Sequence, residues 1–287
     1  MIGRAGRPQF DSKGVAVVYC EQSKKMFYRR YLNDPFPIES SLVEQLDDHI
    51  NAEIARGTIS TRQGCIDWFT YSYAFRRILK NPNFYSIEDN KNETIKKFLI
   101  ELVDKSVKNL TDSKCIEALD DDAGTLMPAE LGFIASSYYL KHQTVKYFYD
   151  NLNAGMTFEQ VLWVICHAEE FKETPLRHNE DNFNKELSDI APYRIKDYSS
   201  PQAKTYLLFQ MHLFDLPPPI RDYVTDGKLI LDASTRVVLG ALEVAKEKKL
   251  LDIVLTLVYI EQLIFQGLQC NIPYASQELW KKIQTTK

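Results

Sequence analysis

The sequence is short of glycine, of cysteine and of any excess of positive charge. Of its 287 residues 11 are glycine, and none lies in the run G-x-x-x-x-G-K-[ST], whose backbone amides and lysine cradle phosphates. No Asp-Glu pair follows an apolar strand to hold magnesium, so the chain alone has no evident way to bind ATP productively. The five cysteines (Cys20, Cys65, Cys115, Cys166, Cys270) are scattered, odd in number and without a C-x-x-C pair. That argues against a disulfide frame or zinc site and for buried thiols in a reducing compartment. The net charge of −4 excludes a global basic field, so any nucleic-acid contact must be local to a groove or one helix face. The most apolar stretch, Leu250 to Phe265, is interrupted by Asp252, Glu261 and Gln262, and is too short and polar to span a bilayer. The five histidines show no ligand spacing. His167-Ala168-Glu169 is not followed by the P-C-x-x-C of a zinc deaminase. Cys166 cannot face its neighbour His167 on a helix.

What is present is ordinary globular material, 45% hydrophobic and 26% charged. Residues 14–20, valine-rich and apolar, read as a buried strand whose partners are missing. Thereafter the pattern is helical. Ser41 and Glu44 form a capping-box pair ahead of Leu42, Leu46, Ile50 and Ile54. A second helix follows Ser60, carries Ile66, Phe69 and Tyr73, and stops at Asn81-Pro82; a third carries Ile95, Phe98, Leu99, Leu102 and Leu110. A hairpin is expected around an acidic turn at Asp120–Asp122, so that three helices precede a two-stranded wing. Beyond Met127-Pro128, helices are expected at 129–140, 142–153, 158–171, 181–190, 201–215 and 229–267, the last broken near Lys248-Lys249.

Gly3-Arg4-Ala5-Gly6-Arg7-Pro8 combines tight-turning glycines with two arginines able to converge on one anion. On these residues alone, a phosphate site and a basic tail are equally good readings. The surroundings separate them. Residues 1–11 resemble motif VI of Ski-two-like superfamily-two helicases. Pro35 to Leu42 is similar to that family's linker, and Leu46 to Gly57 and Arg76 to Tyr85 to its winged helix. Leu131 to Tyr139, Glu169-Glu170-Phe171 and Arg177 to Glu180 resemble its Sec-sixty-three-type helical domain.

The resemblance implies a mainly α fold in three parts. Residues 1–38 would end the second RecA-like lobe, 39–127 would form a winged helix, and 128–287 a helical bundle with a ratchet helix across the nucleic-acid channel. It implies that Arg7 acts as an arginine finger and Arg4 as its support. Gly3 and Gly6 would shape the nucleotide-binding turn. ATP and magnesium would be the cofactors of the full-length helicase, none of them bound by this chain alone. The family motif opens one residue before Met1, so an incomplete chain is expected.

Leu231 to Val238 matches the ratchet helix. Its periodicity places Leu231, Val238, Ala241, Leu242 and Ala245 on a core face, with Asp232, Arg236, Gly240, Glu243 and Glu247 opposite. Arg236 would touch backbone phosphate in the channel. The alternative is a solvated arginine paired with Asp232. Arg177 and His178 are read as bracing the bundle. Expected partners are single-stranded or partly duplex RNA or DNA and a multiprotein complex of activating signal cointegrator type, with a spliceosomal one as runner-up. The expected location is nucleus, cytoplasm or both, without a membrane. The competing function is a non-catalytic module, derived from such a helicase, that binds nucleic acid or protein.

Overall fold

The computed structural model describes residues 5–7, 9–32, 38–89, 91–119, 122–267 and 270. Gly3, Arg4, residues 35–37 of the expected linker, and Asp120 and Asp121 of the acidic turn lie outside them. The chain divides into two compact units, Met1–Ser40 and Ser41–Lys287.

In the first unit Gly6 takes φ +81°, and a β-carbon on Gly14 would lie 2.6 Å from the Ala5 carbonyl oxygen. Backbone thus meets backbone across the turn, which only glycine permits. A single 3-10 turn, Gln22–Lys24, leads into helix α1, Lys25–Tyr31. The strand expected over residues 14–20 is not formed: no described residue pairs with this segment, and Val15, Val17 and Tyr19 are exposed. Valine-rich chain becomes strand only when a second strand takes its N–H and C=O groups.

The second unit begins without the expected capping box. The Ser41 side chain makes no cap, and a 3-10 turn at Leu42–Gln45 leads into α2, Leu46–Ala55, which buries Leu46, Ile50 and Ile54. The single helix expected after Ser60 is two, α3 at Arg62–Thr70 and α4 at Tyr73–Lys80. The Ser72 hydroxyl accepts from Phe75 N and starts a new helix there, leaving Tyr73 exposed rather than in the core. Helix α5, Asn92–Asp112, buries Ile95, Leu99, Val103, Val107 and Leu110 along one stripe. Strands β1, Ile116–Ala118, and β2, Leu126–Pro128, pair antiparallel as the wing, with Pro128 ending β2 rather than opening a helix.

The bundle comprises α6 (Glu130–Tyr138), α7 (His142–Asn151), α8 (Phe158–Cys166), α9 (Glu180–Ile190), α10 (Pro201–Leu213), α11 (Arg221–Glu247) and α12 (Leu251–Gln266). Helix α8 has the reciprocal capping box that Ser41 lacks, made by Thr157 and Gln160. Helix α11 starts at Arg221 rather than at 229, and its 27 residues span about 40 Å. It packs on α6, α7, α8, α10 and α12. The expected break after it falls at Lys248–Leu250, where Lys249 takes φ +58°.

Wing and bundle are fused tightly. At the α2–α6 crossing, a β-carbon on Gly132 would lie 2.2 Å from the Cys115 carbonyl oxygen and 2.7 Å from Asn51 Oδ1. Asn51 Nδ2 donates to the Gly132 carbonyl at 3.0 Å. His142, buried at the start of α7, donates its backbone N–H to Asp48 at 2.9 Å and places Nδ1 2.6 Å from Ser113 Oγ.

Candidate nucleic-acid interface

The N-terminal half of α11 is tied down by a buried ionic network. Lys204 on α10 is fully buried within the uninterrupted buried run 203–210. Its Nζ donates to Glu180 Oε2 at 2.8 Å, Asp226 Oδ2 at 2.7 Å and the Pro175 carbonyl at 2.6 Å. Arg177 closes the ring with a fork on Asp226 at 2.7 and 3.0 Å and a bond to Glu180 Oε1 at 2.8 Å. Tyr223 Oη donates to Asn184 Oδ1 at 2.7 Å, and its ring lies 5.0 Å from the Lys204 ammonium. Burial alone would push the Glu180 and Asp226 carboxyls up; hydrogen bonds from Lys204 and Arg177 outweigh it and hold both below the ordinary carboxylate range. Two cations against two carboxylates satisfy charges that would otherwise be costly to bury. Arg177 thus braces the bundle, as read from the sequence, whereas no hydrogen bond from His178 is seen among the described residues.

Half-way along α11 the surface changes character. Arg236 is partly exposed, and its Nη1 donates to the carbonyl oxygen of Tyr139, the residue capping α6. Asp232, exposed one turn earlier, makes no ion pair with it; among the described residues Arg236 has no carboxylate partner. Gly240, placed by periodicity on the polar face, is instead buried. A β-carbon there would sit 2.2 Å from Leu140 Cδ1, so glycine provides the hole into which Leu140 fits. Glu243 accepts from the Tyr138 hydroxyl at 3.4 Å and from Lys246 Nζ at 2.8 Å. Val237, Val238, Ala241, Val244 and Ala245 are buried, and Leu231 is partly so.

Of the motif's glycines and arginines, Gly6 and Arg7 lie among the described residues. Arg7 is 75% exposed; its Nε lies 3.3 Å from Asp11 Oδ2, and its guanidinium carbon 5.3 Å from the Phe10 ring centre. One edge is therefore held by a carboxylate, while the Nη atoms have no such partner among the described residues. No group of three or more His, Cys, Asp or Glu among the described residues could hold a metal ion.

The other reactive side chains serve packing. His167 places Nδ1 2.9 Å from the Trp163 carbonyl and stacks on Tyr147. Burial pushes the Cys166 thiol far up, the Cys65 thiol to about 11 and the Cys115 thiol to about 12, the opposite of what a nucleophile needs. Cys20, expected buried, is exposed. No described helix is long and apolar enough to cross a membrane. Sequence reasoning missed Lys204 and Asp226; the available signal was a lysine two residues ahead of the apolar run Tyr206-Leu207-Leu208-Phe209.

Comparison with known proteins follows the same division. The Sec63 Brl domain matches residues 128–285, and a Winged Helix-turn-helix domain matches residues 39–121. The chain is 45% identical over 269 residues to mouse "Activating signal cointegrator 1 complex subunit 3", covering 93% of this chain and 12% of that protein. It is 41% identical over 270 residues to "DExH-box ATP-dependent RNA helicase DExH14" of Arabidopsis thaliana, again over 93% of this chain and 12% of the relative. It is 37% identical over 277 residues to "RQC trigger complex helicase SLH1" of Saccharomyces cerevisiae, over 93% of this chain and 14% of the relative. The chain spans about an eighth of the length of these relatives. It belongs to the Sec63 Brl domain family, with a winged helix of the Ski-two-like helicase type preceding that domain.

Proposed function

We propose that this chain is the strand-engaging C-terminal part of an ATP-dependent nucleic-acid helicase, with Arg236 contacting a backbone phosphate of the translocating strand. The observation that carries the reading is the state of Arg236. Its guanidinium is fixed on the α11 surface by a neutral carbonyl, with no carboxylate partner among the described residues, so its charge stays available for an anion. The ionic network behind it holds α11 against α9 and α10 and so fixes where that charge sits. Arg7, with Arg4, Gly3 and Gly6 of the same sequence motif, is the candidate contribution to the phosphates of ATP, whose magnesium and remaining ligands another lobe would supply. When bound there, ATP would supply the free energy of phosphoryl transfer. The relatives' names favour an RNA strand and a multisubunit assembly as partners. The test is single-stranded RNA and DNA binding by the 287-residue chain across a salt series. Arg236→Glu should weaken binding and reduce the salt slope by about 0.7, the value for one phosphate contact to a single strand. In a full-length helicase it should impair unwinding more than ATP hydrolysis. Normal unwinding by that variant would remove the channel assignment.

The compact unit from Ser41 onward, with its own continuous core, supports a second reading, a non-catalytic binding module. The two part on whether duplex unwinding, and not merely binding, responds to Arg236→Glu.

A further inference from the structure

Tyr139 is not explained by folding. It caps α6 in the left-handed region, φ +52° and ψ 45°, where glycine or asparagine fits without strain. The other described non-glycine residues with positive φ (Ser86, Lys114, Asn179, Asp215 and Lys249) are all polar or charged, so Tyr139 is the aromatic exception among them. Its ring gains nothing in return, being 77% exposed, without an aromatic or cation–π contact among the described residues. Its backbone, in contrast, is held from three sides. Arg236 donates to its carbonyl, its neighbour Leu140 fills the hole at Gly240, and Tyr138 reaches Glu243. A large flat ring is thus presented to solvent by the same residue whose backbone carbonyl holds the arginine offered to phosphate. Glu243, which accepts from the Tyr138 hydroxyl, is engaged by Lys246, and Glu170, which accepts from Lys141 N, is engaged by Thr144. Asp232 is the other acidic group on this stretch of helix, and it is exposed one turn before Arg236.

We infer that Tyr139 is a stacking platform for a base of the single strand whose backbone Arg236 contacts. The inference rests on the channel reading above. A base stacked on a side chain reads no sequence, since every base has a π-face, so the expected ligand is single-stranded nucleic acid of any composition. Ring and guanidinium would divide the work, the one taking the base and the other the phosphate.

The test uses the 287-residue chain, a labelled single-stranded oligouridylate, and an abasic ribose-phosphate oligomer of the same length. Tyr139→Asn keeps a residue suited to the left-handed cap and removes the ring; Tyr139→Phe keeps the ring. Y139N should bind the oligouridylate roughly 5- to 150-fold more weakly, the range for one stacked base, and the abasic oligomer as the unaltered chain does. Y139F should stay close to the unaltered chain on both, and R236E should weaken both. Equal losses for Y139N on the two oligomers, or none on either while R236E weakens both, would overturn the platform and leave the channel standing. Unchanged binding by R236E, or no binding by the unaltered chain at low salt, would overturn the channel reading and the platform with it.

Discussion

Lys204 sits wholly inside the protein between two carboxylates, and a buried cation is tolerated only while its partners remain in place. Lys204→Met keeps the apolar stem and removes the charge, leaving Glu180 and Asp226 with Arg177 alone. Breaking such a pair from one side costs about 3–5 kcal/mol, which a shift in the urea midpoint would measure. The cost should depend on pH. Both carboxyls lie below their ordinary value in the folded protein, so the native state binds fewer protons than the unfolded one. Their contribution is fully present above the unfolded values, about pH 4, and is lost as the pH falls through the lowered folded ones. The stability difference between the protein and K204M should therefore shrink as the pH falls below about 4. A difference constant over that range would show that Lys204 acts through packing alone. Asp48 has the opposite sign: burial raises its carboxyl despite the hydrogen bond from His142 N, so it does not reinforce the acid loss.

At the scale of elements, α11 is placed by two devices of different legibility. Its core stripe was readable, because Val238, Ala241, Leu242 and Ala245 recur at the helical period and all four are buried. Gly240 was misread, because periodicity counts glycine as polar, whereas here it is the hole for Leu140. Gly240→Ala should cost about 1–3 kcal/mol by overpacking. Leu140→Ala leaves a cavity and should cost about 2–5 kcal/mol. The double variant should be cheaper than the sum, since the β-carbon added at 240 takes up space that Leu140 vacates. Additive thermal-denaturation values would mean that the two side chains do not meet. The same limit hid the break between α3 and α4: both halves carry apolar residues at helical spacing, and the new start is marked by the Ser72 hydroxyl, which accepts from Phe75 N.

At the scale of the whole molecule, helix positions were legible because they depend on neighbours a few residues away, and their long-range fastenings were not. Lys204 meets partners 24 and 22 residues distant, and His142 meets Asp48 across 94. No local pattern encodes such distances; the ordered family resemblance did, by implying the bundle as a whole. It also implied a winged helix followed by a helical domain, and both fall within the compact unit Ser41–Lys287. The seam has no slack. Gly132 faces the Cys115 carbonyl, and the ring of His142 is buried over Ser113, whose hydroxyl donates to the Asn109 carbonyl at 2.5 Å. Two parts joined so closely should unfold together. Trp68 reports on the winged helix and Trp163 on the bundle, both partly buried, so variants keeping only one of these tryptophans should melt at the same temperature. Gly132→Ala should lower both midpoints equally. Its cost should lie near the upper end of about 1–3 kcal/mol, because the obstructing atom is a backbone carbonyl that cannot rotate away. If G132A lowers the Trp68 midpoint and leaves that of Trp163 unchanged, the seam is a hinge between independent domains. The winged helix would then move independently of α11, and the fixed geometry argued for Arg236 and Tyr139 would belong to the bundle alone.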